Sequence, residues 1–443
     1  MTGLLDRSRA PAPGAPRDLP FPGFDRRSLG SGLEAIVAPL DDTELVSLHL
    51  ITRAGAQHDP PDRAGLASFA AGVLDQGTEE SSAYEIACRS ERLGASLSVS
   101  ADWDTLSVSV QGLARDLPDL LELLAEIALR PAFPEEEVER ARGRRLTEIL
   151  RRRTVPSVVA SERFLREVYG DQPYGHPLIG TEASLRDLDR GDLQSFYRTF
   201  VRTGGSVLVA AGRLTPGEVR SRASDLLGDW SDAPVPRDAP IHPATPDRVH
   251  TVVVDRAGAP QSELRVGHGS VPRNHPDRTA LVVLSSLLGG KFTSRLNLEL
   301  REKHGITYGI RSRFSGRRGP APFLVSSSVA TSGVGLAART ILAELRRLQD
   351  EPVSPEELED TRRYLIGVFP YTLQSAHDVA ERLAQIPVHD LPNDHWDRYR
   401  ERIEAITRES LLRAAREHLH PDQAVVVAVG PEEDLRAQLE SGS

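Results

Sequence analysis

The sequence predicts an α+β protein made of two homologous halves, each an antiparallel β-sheet covered by helices. Three observations carry this. Words repeat along the chain: Asp62-Arg63-Ala64-Gly65-Leu66 after Pro60-Pro61 returns as Asp277-Arg278-Thr279-Ala280-Leu281 after His275-Pro276. Likewise Phe133-Pro134-Glu135-Glu136-Glu137-Val138 returns as Val353-Ser354-Pro355-Glu356-Glu357-Leu358, so the offset is 215 at the first pair and about 220 at the second. Both copies of the first word follow an alternating apolar run and open an apolar helical stretch, and both copies of the second open a charged helix with acids in its first turn. Between the copies, residues 231–248 carry Pro234, Pro236, Pro240, Pro243 and Pro246, a run that extends and resists packing.

Along the first half, residues 33–38 and 45–52 read as strands, 65–75 and 84–93 as helices. Residues 97–100 and 106–110 alternate apolar with polar, which predicts a hairpin with one solvated face. Helices follow at 117–129, 135–152 and 158–168, then a helix at 192–199 and a closing strand at 206–211. Strands joined as hairpins with helices gathered between them give the α+β class. The expected divisions are a flexible arm at 1–19, a first domain at 20–230, the linker at 231–248 and a second domain at 249–440.

Composition bounds the function. The 443 residues carry a formal charge of −10, with no basic domain, which argues against nucleic acid as a partner. Lysine occurs only at Lys291 and Lys303, so the cations are almost all arginine. The single Cys88 excludes an intramolecular disulfide framework and a cysteine-rich zinc site. No run approaches the ~18 apolar residues needed to span a bilayer, the N-terminus does not resemble a signal peptide, and a cytoplasmic location is expected.

The words from Gly65-Leu66-Ala67-Ser68-Phe69-Ala70-Ala71-Gly72-Val73-Leu74 to Gly77-Thr78 resemble the active-site helix of the M16 zinc metallopeptidases. That family carries His-x-x-Glu-His there, which sets two imidazoles on one helix face and a water-activating carboxylate beside the second. Here the histidine positions hold Ser68 and Gly72 and the glutamate position holds Ala71. The resemblance places the family's third ligand at Glu148, and one carboxylate cannot hold a zinc that needs three or four protein ligands. His58, His176 and His268 form no pair at ligand spacing on a helix, and His418-x-His420 reads as a solvated helix end. No metal and no cofactor are expected in this chain.

A second motif is retained. In Leu288-Gly289-Gly290-Lys291-Phe292-Thr293-Ser294-Arg295-Leu296, the Gly289-Gly290 pair reads as a flexible turn and Thr293 or Ser294 as the cap of a helix running to about Lys303. Gly305 would end that helix in a left-handed conformation, and Tyr308 would start a strand. The seven-residue spacing from Arg301 to Tyr308 resembles the Arg/Tyr pair of the M16 C-terminal half, which implies that both bind the substrate carbonyl next to the scissile bond. Gly289 and Gly290 resemble a loop that touches substrate in the family's non-catalytic subunits. Pro173-Tyr174-Gly175-His176-Pro177 and Gly180 are further family-like words, expected to shape a loop between helices.

The resemblance implies the non-catalytic, substrate-binding subunit of a heterodimeric peptidase, inactive alone and supplying the Arg/Tyr pair to a zinc site on a related partner that carries His-x-x-Glu-His. A non-enzymatic structural protein and a homodimeric peptide-binding pseudoenzyme of the same fold stand beside it.

Overall fold

The computed structural model describes residues 14, 19–30, 32–228, 230 and 235–440. The expected arm at 1–19 and the first residues of the expected linker lie largely outside them. The first half holds strands β1 (Asp25–Gly30), β2 (Leu33–Pro39), β3 (Leu45–Thr52), β4 (Ser96–Ala101), β5 (Leu106–Leu113) and β6 (Val207–Gly212). Its helices are α1 (Leu66–Leu74), α2 (Ala83–Arg92), α3 (Leu117–Leu129), α4 (Glu135–Arg153), α5 (Pro156–Tyr169), α6 (Glu182–Asp187), α7 (Arg190–Phe200) and α8 (Pro216–Leu227). The second half holds β7 (His250–Asp255), β8 (Gln261–Gly269), β9 (Thr307–Phe314), β10 (Pro322–Ala330) and β11 (Val425–Gly430). Its helices are α9 (Arg278–Ser285), α10 (Val334–Asp350), α11 (Pro355–Val368), α12 (Ala376–Val388), α13 (Tyr399–Glu404), α14 (Arg408–His418) and α15 (Glu432–Glu440).

The sheets run β1-β2-β6-β3-β5-β4 and β7-β11-β8-β10-β9. Apart from the added edge strand β1, the second order repeats the first strand for strand. The fold is thus the expected α+β pair, with one correction: neither sheet is wholly antiparallel. β2 pairs with β6, and β7 with β11, in parallel. A parallel pair needs a long crossover, and α1–α7 with the strands among them supply it in the first half and α9–α14 with theirs in the second.

β6 and β11 explain their own sequences. VLVAAG and VVVAVG are buried at every residue. In the first sheet, Leu208 and Ala210 join the core under α1 and α3, while Val207, Val209 and Ala211 face the opposite way. A strand covered on both faces reads as a continuous apolar run. The cover on that second face comes from the other half: Val379, Ala380, Leu383 and Ile386 of α12 pack on Ile36, Ile51, Val207 and Val209. The exchange is reciprocal, because Ala160, Phe164 and Val168 of α5 pack on Val425, Val427 and Val429. α5 and α12 occupy matching places in the repeat, so each half lends the other the same helix. Leu383 is 0% exposed. Leu383→Ala is expected to cost about 2–5 kcal/mol, the range for a buried leucine that leaves a cavity, and to lower a single unfolding transition shared by both halves. Denaturant unfolding followed by fluorescence and circular dichroism checks both points.

Polar bridges complete the junction. Tyr174 is fully buried, and its hydroxyl donates to Asp104 at 2.5 Å and accepts from the Gly319 amide at 3.1 Å. Asp104 also accepts from the Arg318 amide at 2.9 Å. The Pro173–Gly175 turn therefore clamps the two halves together, beyond the loop-shaping role expected of it.

Candidate functional site

The first part of the site is built on α1. Asp59 caps this helix by accepting from the Gly65 and Ala67 amides, both at 2.8 Å. Gly65 enters at φ +92°, and a Cβ there would lie 2.6 Å from the Gly180 backbone. Gly180 is equally confined, so the pair of glycines lets two loops touch backbone to backbone. Ser68 donates to the Leu178 carbonyl at 2.6 Å. Ala71 is 0% exposed and belongs to the core.

The guanidinium of Arg145, on α4, lies over this face. Its Nη1 donates to Ser68 Oγ at 3.1 Å and its Nη2 to the Ser68 carbonyl at 3.2 Å. A Cβ at Gly72 would meet Nη2 at 3.3 Å. Glu148, one turn on along α4, lies 4.0 Å from Arg145 Nε. A fixed cation thus covers Ser68 and Gly72, with the lone carboxylate as its counter-ion. Burial lowers the pKa of Arg145, and Glu148 opposes that shift. These residues do not fit a zinc ion: the imidazoles are gone, and a guanidinium takes up the carboxylate. Spacing points at Glu148; Arg145, three residues earlier on the same helix, has no motif to reveal it.

The second part lies in the second half. Residues 286–290 and 297–303 each form a π-helical turn. Gly289 and Gly290 are therefore no flexible turn. Gly289 is buried, and a Cβ there would lie 2.8 Å from the Ser312 amide on β9. Ser294 does stand just before the helix, its carbonyl accepting from the Leu298 amide, while its Oγ accepts from the Asn297 side chain at 3.0 Å. Gly305 does take the left-handed conformation, at φ +62°.

Arg301 lies in the 297–303 turn. Its guanidinium stacks over the Phe292 ring at 3.4 Å, donates to the Phe292 carbonyl at 3.2 Å and pairs with Glu302 at 2.7 Å. Phe292, part of the Gly-Gly motif but given no role from the sequence, is the platform that orients it. Tyr308 is the second residue of the edge strand β9 and is 98% exposed. Phe292 and Leu298 are also exposed, while Arg301, stacked on the Phe292 ring, keeps only 14% of its side chain exposed.

The histidines lie elsewhere. His58 stacks on Phe200 at 4.4 Å, and His268 is buried, with Nδ1 2.8 Å from the Gly269 carbonyl oxygen and Nε2 accepting from the His420 amide. His176 lines a cavity of about 820 Å³ between the halves, beside Leu178, Arg265 and Arg317. His418 is buried, contrary to the solvated end expected, and lies 2.9 Å from Asp277. The ligand atoms of His275, Asp277 and His418 fall within 4.8 Å of one another. Arg413 takes both oxygens of Asp277, at 2.5 and 3.1 Å, and so occupies the charge a metal would need.

Two helix-swapped α+β halves, with a metallopeptidase helix stripped of its ligands, define a peptidase-like class. Family models place the chain within it. Residues 36–182 match the insulinase (peptidase family M16) model, and residues 187–365 match the peptidase M16 inactive domain. The chain belongs to the M16 family. Its curated relatives include the uncharacterized zinc protease YmxG of Bacillus subtilis, 20% identical over 81% of this chain and 86% of that protein. An uncharacterized zinc protease of Streptomyces coelicolor is 23% identical over 93% of this chain and 90% of its own length. A solved M16 inactive domain from Pseudomonas fluorescens superposes with a TM-score of 0.86 at 24% identity, covering 92% of this chain and 98% of that one. A Helicobacter pylori protease also gives 0.86, at 20% identity, over 93% and 100%. Among the described residues no helix is long and apolar enough to cross a membrane.

Proposed function

We propose that this chain is the substrate-binding subunit of a two-chain M16 peptidase, with the zinc held by a related partner that retains His-x-x-Glu-His. One observation carries the proposal. The metal positions of α1 are closed by Arg145, while the second motif keeps Arg301, stacked on Phe292 with 14% of its side chain exposed, and the exposed Tyr308. A chain that had abandoned peptide chemistry altogether would have no use for a guanidinium held on a ring and an exposed phenol seven residues further on. The same donors would serve a self-paired, peptide-binding dimer, so the partner is what the test must find.

The chain is expected to bind no stoichiometric zinc and to hydrolyse no peptide by itself, and to form a 1:1 complex with a related chain carrying the intact motif, encoded nearby. Light scattering and metal analysis of each chain and of the mixture check this. A stable monomer that ignores the partner overturns the heterodimer. Self-assembly without the partner favours the homodimeric pseudoenzyme.

A further inference from the structure

The polar face of the β4–β5 hairpin is half open to solvent, with Ser98 and Ser100 exposed and Ser107 and Ser109 half-buried. It forms one wall of a cavity of about 650 Å³ between the halves, lined by Ser98, Ser100, Ser107 and Ser109. Arg273 and Arg278, from the segment leading from β8 into α9, form the opposing wall, and α12 with Arg382 and the following His389 closes it.

The two arginines lack counter-ions. Arg278 donates to the Ser315 and Phe314 carbonyls at 2.8 and 2.6 Å, which are neutral acceptors, and its Nε is buried without a partner. Arg273 reaches only the Gln385 amide oxygen, at 3.4 Å, with its guanidinium 5.9 Å from the Trp396 ring. Among the described residues no carboxylate lies within 4.0 Å of either guanidinium. This sets them apart in a chain whose arginines mostly pair with carboxylates, as Arg163 does with Glu167 and Arg400 with Glu404.

The acids nearby are committed elsewhere. Glu381, also on the wall, lies 3.5 Å from His49, whose ring burial keeps neutral by pulling its pKa down to about 4, and its charge acts on Arg382 beside it. Asp102 accepts from the Asp104 and Thr105 amides of its own turn. Asp238 and Asp390 pair with Arg318, at 3.1 and 3.4 Å. Burial, reinforced by neighbouring arginines, pulls Arg273 down to about 10 and Arg278 to about 9, so both stay charged at neutral pH. Burial and the same cations push His389 down to about 3, leaving its ring neutral, with a buried Nδ1 that has no partner. Two buried charges facing each other cost free energy unless an anion joins them.

We propose that this cavity binds a phosphate-bearing anion, with Arg273 and Arg278 as its charge partners and the serine hydroxyls as further donors. With Arg382 set against Asp378 and Glu381 on its own helix, the two remaining cations match a dianion, whereas one carboxylate would neutralise only half of their charge. Guanidinium and hydroxyl donors on several sides suit a tetrahedral group with many acceptor oxygens. The volume exceeds that of orthophosphate, which favours an oligophosphate or a phosphate monoester. Such a ligand would contact the first sheet, the α9 segment and α12 together, and so tie the two halves.

The test needs only the full chain. Titration calorimetry with pyrophosphate at constant ionic strength is expected to show one saturable site, and pyrophosphate to raise the melting temperature above that in matched chloride. Arg273→Gln should weaken binding by at least about tenfold, the loss expected for one charge-assisted contact. Without anion the same substitution should leave the melting temperature unchanged or raise it, because it removes repulsion. Arg278 also holds two carbonyls, so the second variant is Ser100→Glu, which adds a negative charge from an exposed strand position and should likewise weaken binding. A nucleoside triphosphate and a phosphoserine peptide as further probes distinguish a small-molecule source from a protein one, and tight binding of either supports the site. Binding that survives both substitutions, a melting shift no larger than in chloride, or a glutamate-rich peptide outcompeting pyrophosphate overturns it.

Discussion

Arg301→Ala and Tyr308→Phe are each expected to lower the kcat of the assembled two-chain peptidase by about 10²–10³, the usual loss for one donor aimed at a developing oxyanion. When a peptide carbonyl is attacked, negative charge gathers on its oxygen. A guanidinium and a phenol already in position meet that charge without reorganising, so their contribution is larger in the transition state than in the bound ground state. Arg301 is pre-positioned by the Phe292 ring at 3.4 Å and by Glu302 at 2.7 Å. Tyr308, almost fully exposed, fills no core, so its loss opens no cavity. Neither substitution should shift the melting temperature or the assembly by much. Phe292→Ala is the informative third variant: it leaves both donors in place but removes the platform, and should lower activity less than Arg301→Ala. Arg295 is the control. It forks onto Glu357 at 2.7 and 2.8 Å and reaches Glu344 at 3.3 Å, so Arg295→Ala should cost about 1–3 kcal/mol of stability, because it strands part-buried carboxylates. Normal kcat in the Arg301 and Tyr308 variants would make the pair structural and remove the core of the proposed function. Binding of pyrophosphate at Arg273 would be untouched by that result.

Much of this architecture was legible because local signals and tertiary contacts agree. The 45–52 strand and the 117–129 helix appear with the boundaries their periodicity predicts, and the 215-residue offset aligns β3 with β8, as the strand orders require. What escaped is what no single segment encodes. The exchange of α5 and α12 is invisible locally, because an amphipathic helix shows that it has an apolar face but not which sheet will cover it. β1 is a mostly polar edge strand with little alternation to signal it. The π-helical turns follow from a fit between Gly289 and β9 that lies across the second half rather than in the Gly-Gly word. Loss of the zinc motif was plain from Ser68, Ala71 and Gly72; its replacement by Arg145 was not, since one arginine among many on α4 carries no distinguishing pattern.

Arg145 changes what a rebuilt metal site should do. Ser68→His, Ala71→Glu and Gly72→His together restore the motif, and Glu148 lies on the facing helix, yet this triple variant is expected to bind no stoichiometric zinc. The new side chain at Gly72 would start 3.3 Å from Arg145 Nη2. The guanidinium would also face the ion directly. Unit charges 4 Å apart near a protein surface interact by on the order of 4 kcal/mol, and a divalent ion roughly doubles that repulsion. Adding Arg145→Gln to the other three removes both obstacles and frees Glu148 from its 4.0 Å contact. The quadruple variant should therefore bind zinc at least about 10³-fold more tightly than the triple, measured by competition with a chromophoric chelator. Glu148→Gln in that background should reverse most of the gain, since it removes the third ligand. Peptidase activity should stay low even then. Ala71 is fully buried, so a glutamate there must force its way out of the core before it can act on water. One zinc per triple-variant chain, held as tightly with Arg145 present as without it, would show that the guanidinium swings aside freely and does not close the site.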